Sequence, residues 1–147
     1  MAEEAKFEIG IKALILNDRN RILVLKAGEE ELRYEKQDFW DLPGGRIQLN
    51  SDIEETLRRE INEELGIPGS TLRINGIFDA SISNFKITRK KEKLSLMLIT
   101  YECGLSAHKE FKISKEHSEY RWMPVNVAAR HLGKKFPKAF VDKLRKL

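Results

Sequence analysis

Apolar residues recur every second position at the start of this chain and every fourth position in its middle. Phe7, Ile9 and Ile11 alternate with their neighbours and run into the block Ala13 to Leu16, the pattern of a strand. Asn17-Asp18-Arg19-Asn20 is a turn cluster. Arg21 to Lys26, carrying Ile22 to Leu25, then reads as a second strand that returns on the first as a hairpin. Ala27 to Asp38 is a polar connection holding Glu29, Glu30 and Glu31 and then Arg33 and Tyr34. It reads as a solvated loop, with a substrate-facing loop as the alternative, since it leads to Pro43-Gly44-Gly45.

The four-residue repeat is Ile53, Leu57, Ile61 and Leu65, which marks the buried face of a helix. Ser51 with Glu54, and Asp52 with Glu55, are overlapping capping-box patterns, so the helix begins at one of them; Gly66 with Pro68 beyond it is the stop. Leu72 to Phe78 reads as a strand that continues extended through Thr88 to a basic turn, Arg89-Lys90-Lys91-Glu92-Lys93, and Leu94 to Cys103 is a long strand pairing back. Lys109 to Ile113 is a short strand. Val125 to Leu132 is a short helix stopped by Gly133, and Pro137 opens a last helix that places Phe136, Phe140 and Leu144 on one face. Strands before, between and after helices make an α+β chain with a mixed sheet.

The middle helix carries carboxylates on the wrong side. At about 100° per residue, Glu60 and Glu64 point within roughly 40° of Ile53 or Leu57, and Glu63 flanks them. Unpaired burial of such a cluster is costly, and Arg58 and Arg59 are too few to neutralise it. A divalent cation would, and an all-oxygen ligand set suits magnesium, with manganese as a substitute, better than zinc. The alternative is an ordinary solvated acidic face. Gly44 and Gly45 just upstream allow backbone groups to approach a metal or ligand without a Cβ in the way.

In these residues the chain resembles the Nudix hydrolase family, of the MutT-like kind. Gly45 takes the first place of the Nudix box, and Arg59, Glu60, Ile61, Glu63, Glu64, Gly66 and Ile67 fill its last part; Trp40-Asp41-Leu42-Pro43-Gly44 is similar to the usual approach. One position departs: the box's first glutamate is Ser51 here. In the family that glutamate braces the loop and helix through the arginine, so the resemblance implies weaker bracing of Arg59 with the metal carboxylates retained, and Ser51 as an N-cap. A second, looser likeness lies at Ser114 to Pro124, an acidic loop before a strand with Trp122, where Glu116 matches a glutamate that assists the metal or acts as base; Glu119 is the reserve.

The resemblance implies a Nudix fold over residues 1–147 as one domain, an α/β/α sandwich with the mixed sheet between helices. It implies a Mg2+-dependent pyrophosphohydrolase (Mn2+ also accepted) acting on a small-molecule nucleotide in which a nucleoside diphosphate is linked to another group. Gly44, Glu60, Glu63 and Glu64 would hold metal, and Arg59, Glu63 and Glu116 would serve catalysis. The alternative is a nucleotide-binding regulatory domain without turnover, motivated by Ser51.

Composition narrows this little further. With 147 residues, 41% hydrophobic and 34% charged, the chain is a soluble length for one core. A net charge of +4 favours anionic partners but is diffuse; lysines at the hairpin turn keep its tip soluble, and nucleic acid is not the expected partner. The one cysteine, Cys103, excludes an internal disulfide and reads as a buried inert thiol. With no apolar signal core at Met1 to Lys6 and no membrane span, the expected place is the cytoplasm. A homodimer is compatible with the sequence.

Overall fold

The computed structural model describes residues 2–28, 38–106 and 110–147. Of the loop expected over Ala27 to Asp38, residues 29–37, with Arg33 and Tyr34, lie outside these residues, as does Lys109. The elements in order are β1 (Phe7–Ile15), β2 (Arg21–Ala27), β3 (Trp40–Asp41), β4 (Gly44–Arg46), α1 (Ile53–Leu65), β5 (Leu72–Arg89), β6 (Glu92–Leu105), β7 (His117–Pro124), α2 (Val125–Leu132) and α3 (Lys138–Leu144). A short 3-10 turn, Gly69–Thr71, leads into β5.

The strands form two sheets, ordered β4-β1-β6-β5 and β3-β2-β7. The pair β1–β6 is parallel and the others antiparallel, so the layer is mixed. Residues 40–46 join the two sheets: Trp40 and Asp41 pair with β2, and three residues later Gly44 pairs with Lys12 of β1. The hairpin expected from β1 and β2 does not form. These strands enter different sheets and share one bridge, Leu16 with Ile22; β4 and β6 occupy the two edges of β1 that β2 would have needed. Residues 110–113, expected as a strand, are irregular.

Side-chain alternation puts helices on both faces. Ile11, Ala13 and Ile15 of β1 and Leu23 and Leu25 of β2 pack with Leu57, Ile61 and Leu65 of α1. Leu14, Ile22 and Val24 point the other way, towards Ala128, Ala129 and Leu132 of α2 and Phe140 and Leu144 of α3. This is the α/β/α sandwich that the resemblance implies. Among the described residues no helix is long and apolar enough to cross a membrane. Cys103 is buried against α1, and burial pushes its thiol up to about 12, which keeps it uncharged and unreactive.

Candidate metal and phosphate site

Helix α1 is fixed at both ends by local chemistry. Asp52 is the N-cap, its carboxylate accepting from Glu55 N at 2.8 Å, and Gly66 ends the helix in the left-handed conformation with its N–H on Asn62 O. Ser51 is therefore not the cap. It lies one residue outside, and its hydroxyl meets that of Thr56 at 3.2 Å. Arg58 anchors the helix to the following strand by donating to Gly69 O and Leu72 O.

Held this way, α1 presents its acids to the turn before it. Glu64 is only 2% exposed and accepts from Gly44 N at 2.7 Å. Gly44 has φ +142, and a Cβ there would run into the Ile11 carbonyl, so only glycine fits. At Gly45 a Cβ would instead strike the Glu60 carboxyl group. The missing side chain is what lets that carboxylate rest on the turn.

A cavity of about 220 Å³ opens here, lined by Gly44, Gly45, Glu60, Glu64 and Glu116 together with Lys12, Asp41 and His117. Burial drives the Glu64 carboxyl well above its ordinary range, and Glu60 and Asp41 push the same way against Lys12 and the Gly44 N–H. Glu60 is raised by burial and by Glu63, against Arg59 and Lys12. These are carboxylates short of counter-charge. Glu116 reaches them from a loop held by main-chain hydrogen bonds: Ser114 N donates to Glu64 O, Lys112 N to Leu65 O, and Gly28 N to Glu116 O.

Oxygen or nitrogen atoms of Glu64, Glu116 and His117 lie within 4.8 Å of one another. His117 Nδ1 is buried, has no hydrogen-bond partner among the described residues, and sits 3.5 Å from Glu64 Oε2. Burial lowers its pKa to about 4, with Lys12 and Lys135 adding and Asp41 opposing, so the ring is neutral at pH 7. A raised acid pair, a third carboxylate and an unpartnered neutral imidazole fit a divalent cation.

Other expected residues lie at the edge. Glu63 is mostly exposed and is not among the lining residues; Arg59 stands between it and Glu60, at 3.9 Å and 3.5 Å. Arg59 Nη2 is buried without a hydrogen-bond partner among the described residues. Glu119 pairs with Arg121 at 3.0 Å.

Beside the acids is a buried cluster that sequence reasoning missed. Asp41 Oδ2 accepts from Lys12 Nζ at 2.9 Å and from Lys135 Nζ at 2.5 Å. Burial alone would raise the Asp41 carboxyl, but the two ammonium groups outweigh it and hold it far below the usual range. Lys12 carried a signal, a single charge between Ile11 and Ala13 in an apolar strand. Asp41, Lys135 and His117 carried none without the fold.

Comparison with known proteins fits this geometry. The NUDIX domain family matches residues 6–144. Nucleoside triphosphatase NudI of Escherichia coli O17:K52:H18 is 36% identical over 89 residues, which span 57% of this chain and 60% of that relative. A MutT protein from Methanosarcina mazei Go1 superposes with TM-score 0.74 at 26% identity, over 99% of this chain and 95% of that one. The Escherichia coli dihydroneopterin triphosphate pyrophosphohydrolase shares the fold at 16% identity, with TM-score 0.72 and 97% of each chain covered.

Proposed function

The chain belongs to the NUDIX domain family, and from that premise we propose that it is a magnesium-dependent pyrophosphohydrolase of nucleotides. The reading is carried by one observation: Glu60, Glu64 and Glu116, from a helix and a distant loop, converge on one cavity in which burial raises the two helix carboxyls. A nucleoside triphosphatase among its relatives supports it, as does a cavity that pairs these acids with lysines and arginines. Its place would be the cytoplasm.

Glu60 and Glu64 would hold the metal with the Gly44 backbone, and Glu63 would complete the set from the exposed flank. Bound magnesium supplies charge neutralisation on the phosphate oxygens and orients water. The rest falls to the chain's own groups. Arg59 steadies Glu60 and Glu63, and the Gly44 N–H fixes Glu64. In the reaction a water oxygen bonds to one phosphorus while the P–O bond to the bridging oxygen breaks, its electron pair leaving with the second phosphate group. The water's proton passes to a carboxylate base, Glu116 or a box glutamate. Ser51 favours a binding domain without turnover only through Arg59; every carboxylate the chemistry needs is retained.

The experiment is release of nucleoside monophosphate from nucleoside triphosphates, ADP-ribose, nucleotide sugars and dinucleoside polyphosphates, with and without magnesium. Turnover that needs the metal and falls about 100-fold or more in Glu64→Gln is the expected result. Calorimetric nucleotide binding with no product from any substrate would overturn the enzyme reading.

A further inference from the structure

Among the described residues, one buried imidazole nitrogen in the cavity is left without a hydrogen-bond partner. It is Nδ1 of His117, a lining residue only 8% exposed. A buried polar atom left bare costs free energy, and such an atom in a cavity points to a ligand. Nδ1 stands 3.5 Å from Glu64 Oε2, and one donor atom each from Glu64, Glu116 and His117 fall within 4.8 Å of one another. Two donors bound to one ion at about 2.1 Å are about 3 Å apart when adjacent and about 4.2 Å apart when opposed. The Glu64–His117 separation lies inside that range, and Glu116 completes the group from the exposed side.

The chain places that nitrogen by local means. Strand β7 begins at His117, opposite Ala27, and the next pair is Glu119 with Lys26. Two residues of β7 thus meet one step of β2, a bulge that re-aims the side chain at the strand's end. Gly28 N donates to Glu116 O at 2.7 Å, and a Cβ on Gly28 would stand 2.7 Å from the Lys115 carbonyl oxygen. The loop can therefore lie against the end of β2 only over a glycine. From the other side Ser114 N donates to Glu64 O at 3.2 Å, which ties the same loop to the helix that carries Glu64. Glu116 and His117 are adjacent in sequence, and these two tethers hold both beside Glu64.

We infer that His117 Nδ1 is a metal ligand beside Glu64 and Glu116, and that this nitrogen makes the site favour a late first-row cation such as cobalt, nickel or zinc over magnesium. The inference rests on the pyrophosphohydrolase reading for the presence of a metal, and it changes which ion is held best. Oxygen donors alone suit magnesium. Imidazole suits the later transition metals, whose affinity for such sites rises from manganese towards copper. To ligate, Nδ1 must offer a lone pair, so the ring proton sits on Nε2. The oxygen-only ligand set read from α1 omits this donor because it lies on another element, at the start of β7.

The test loads the full chain with Mn2+ for pulsed EPR and measures Mg2+, Mn2+ and Co2+ binding by calorimetry. Bound Mn2+ should show coupling to a directly bonded imidazole nitrogen. That coupling should change when the protein is made with heavy-nitrogen histidine, and should be absent in His117→Gln. In the same variant Co2+ should bind about tenfold more weakly or worse, while Mg2+ changes by less than about threefold. His131→Gln, a histidine on α2 outside the lining residues, should match the unaltered protein in both measurements. No nitrogen coupling in the unaltered protein would overturn the inference, however the variants fold. Equal weakening of Co2+ and Mg2+ in His117→Gln would also overturn it and leave His117 as a structural neighbour of Glu64. Nitrogen coupling with no nucleotide hydrolysed under any of the three metals would sink the enzyme reading and leave the ligand assignment standing; hydrolysis with Mg2+ and no coupling would do the reverse.

Discussion

At the scale of single residues, the site depends on atoms that are missing as much as on those present. Gly45 has no φ that demands glycine, yet its Cβ position is taken by the end of the Glu60 side chain. That end is flexible, so Gly45→Ala should cost little stability, under about 1 kcal/mol, while it pushes the carboxylate off the turn. The expected outcome is magnesium affinity about tenfold weaker at an almost unchanged melting temperature, read by calorimetry and thermal denaturation on the same sample. Asp41 is the opposite kind of residue, a buried charge with two partners. Asp41→Asn removes the carboxylate that Lys12 and Lys135 share and should destabilise the fold by about 3–5 kcal/mol. The pH dependence has a definite sign. The native carboxyl titrates far below its unfolded value of about 4, so its contribution is complete above that value and is lost as pH falls through the acid range. Between pH 5 and pH 2 the unaltered protein should lose stability more steeply than Asp41→Asn in urea titrations.

At the scale of elements, irregularity in β5 has a use. Its pairing with β6 slips between Ile82 and Lys86, and the freed residues reach the turn between α2 and α3. Ser83 Oγ donates to Lys135 O at 2.7 Å, Asn84 N to the same oxygen at 2.9 Å, and Asn84 Nδ2 lies within 3.2 Å of the Gly133, Lys134 and Phe136 carbonyls. A bulge thus aims a strand at a turn, and the turn delivers Lys135 to Asp41. Asn84→Ala should cost about 1–3 kcal/mol and speed amide exchange at Lys135 and Phe136 while the α1 amides stay protected. Uniform loss of protection would mean that Asn84 acts on the whole fold and not on this turn. The legibility of elements follows the same division. Helix α1 could be read because its cap, its stop and its apolar stripe are local. The β1–β2 hairpin does not form because Asn17 to Asn20 announces only a turn, whereas the partners of the two strands come from residues 40–46, β6 and β7, far along the chain.

At the scale of the whole molecule, the candidate site lies where the two sheets meet. Lys12 belongs to β1 of one sheet, Asp41 to β3 of the other, and Lys135 to the turn between α2 and α3. Glu60 and Glu64 could be named from sequence because they sit in one turn of one helix with a glycine turn before them. The Asp41 cluster could not, since its three members are 29 and 94 residues apart along the chain.

The single bridge between β1 and β2 makes the layer mechanically anisotropic. Along each strand it is stiff; across the junction, where a continuous sheet would have a ladder, it has a compliant joint. The Lys12–Asp41 contact crosses that joint from inside, like a latch set within its own hinge. Separating the two sheets would stretch this contact together with the Ala13 N–Pro43 O hydrogen bond.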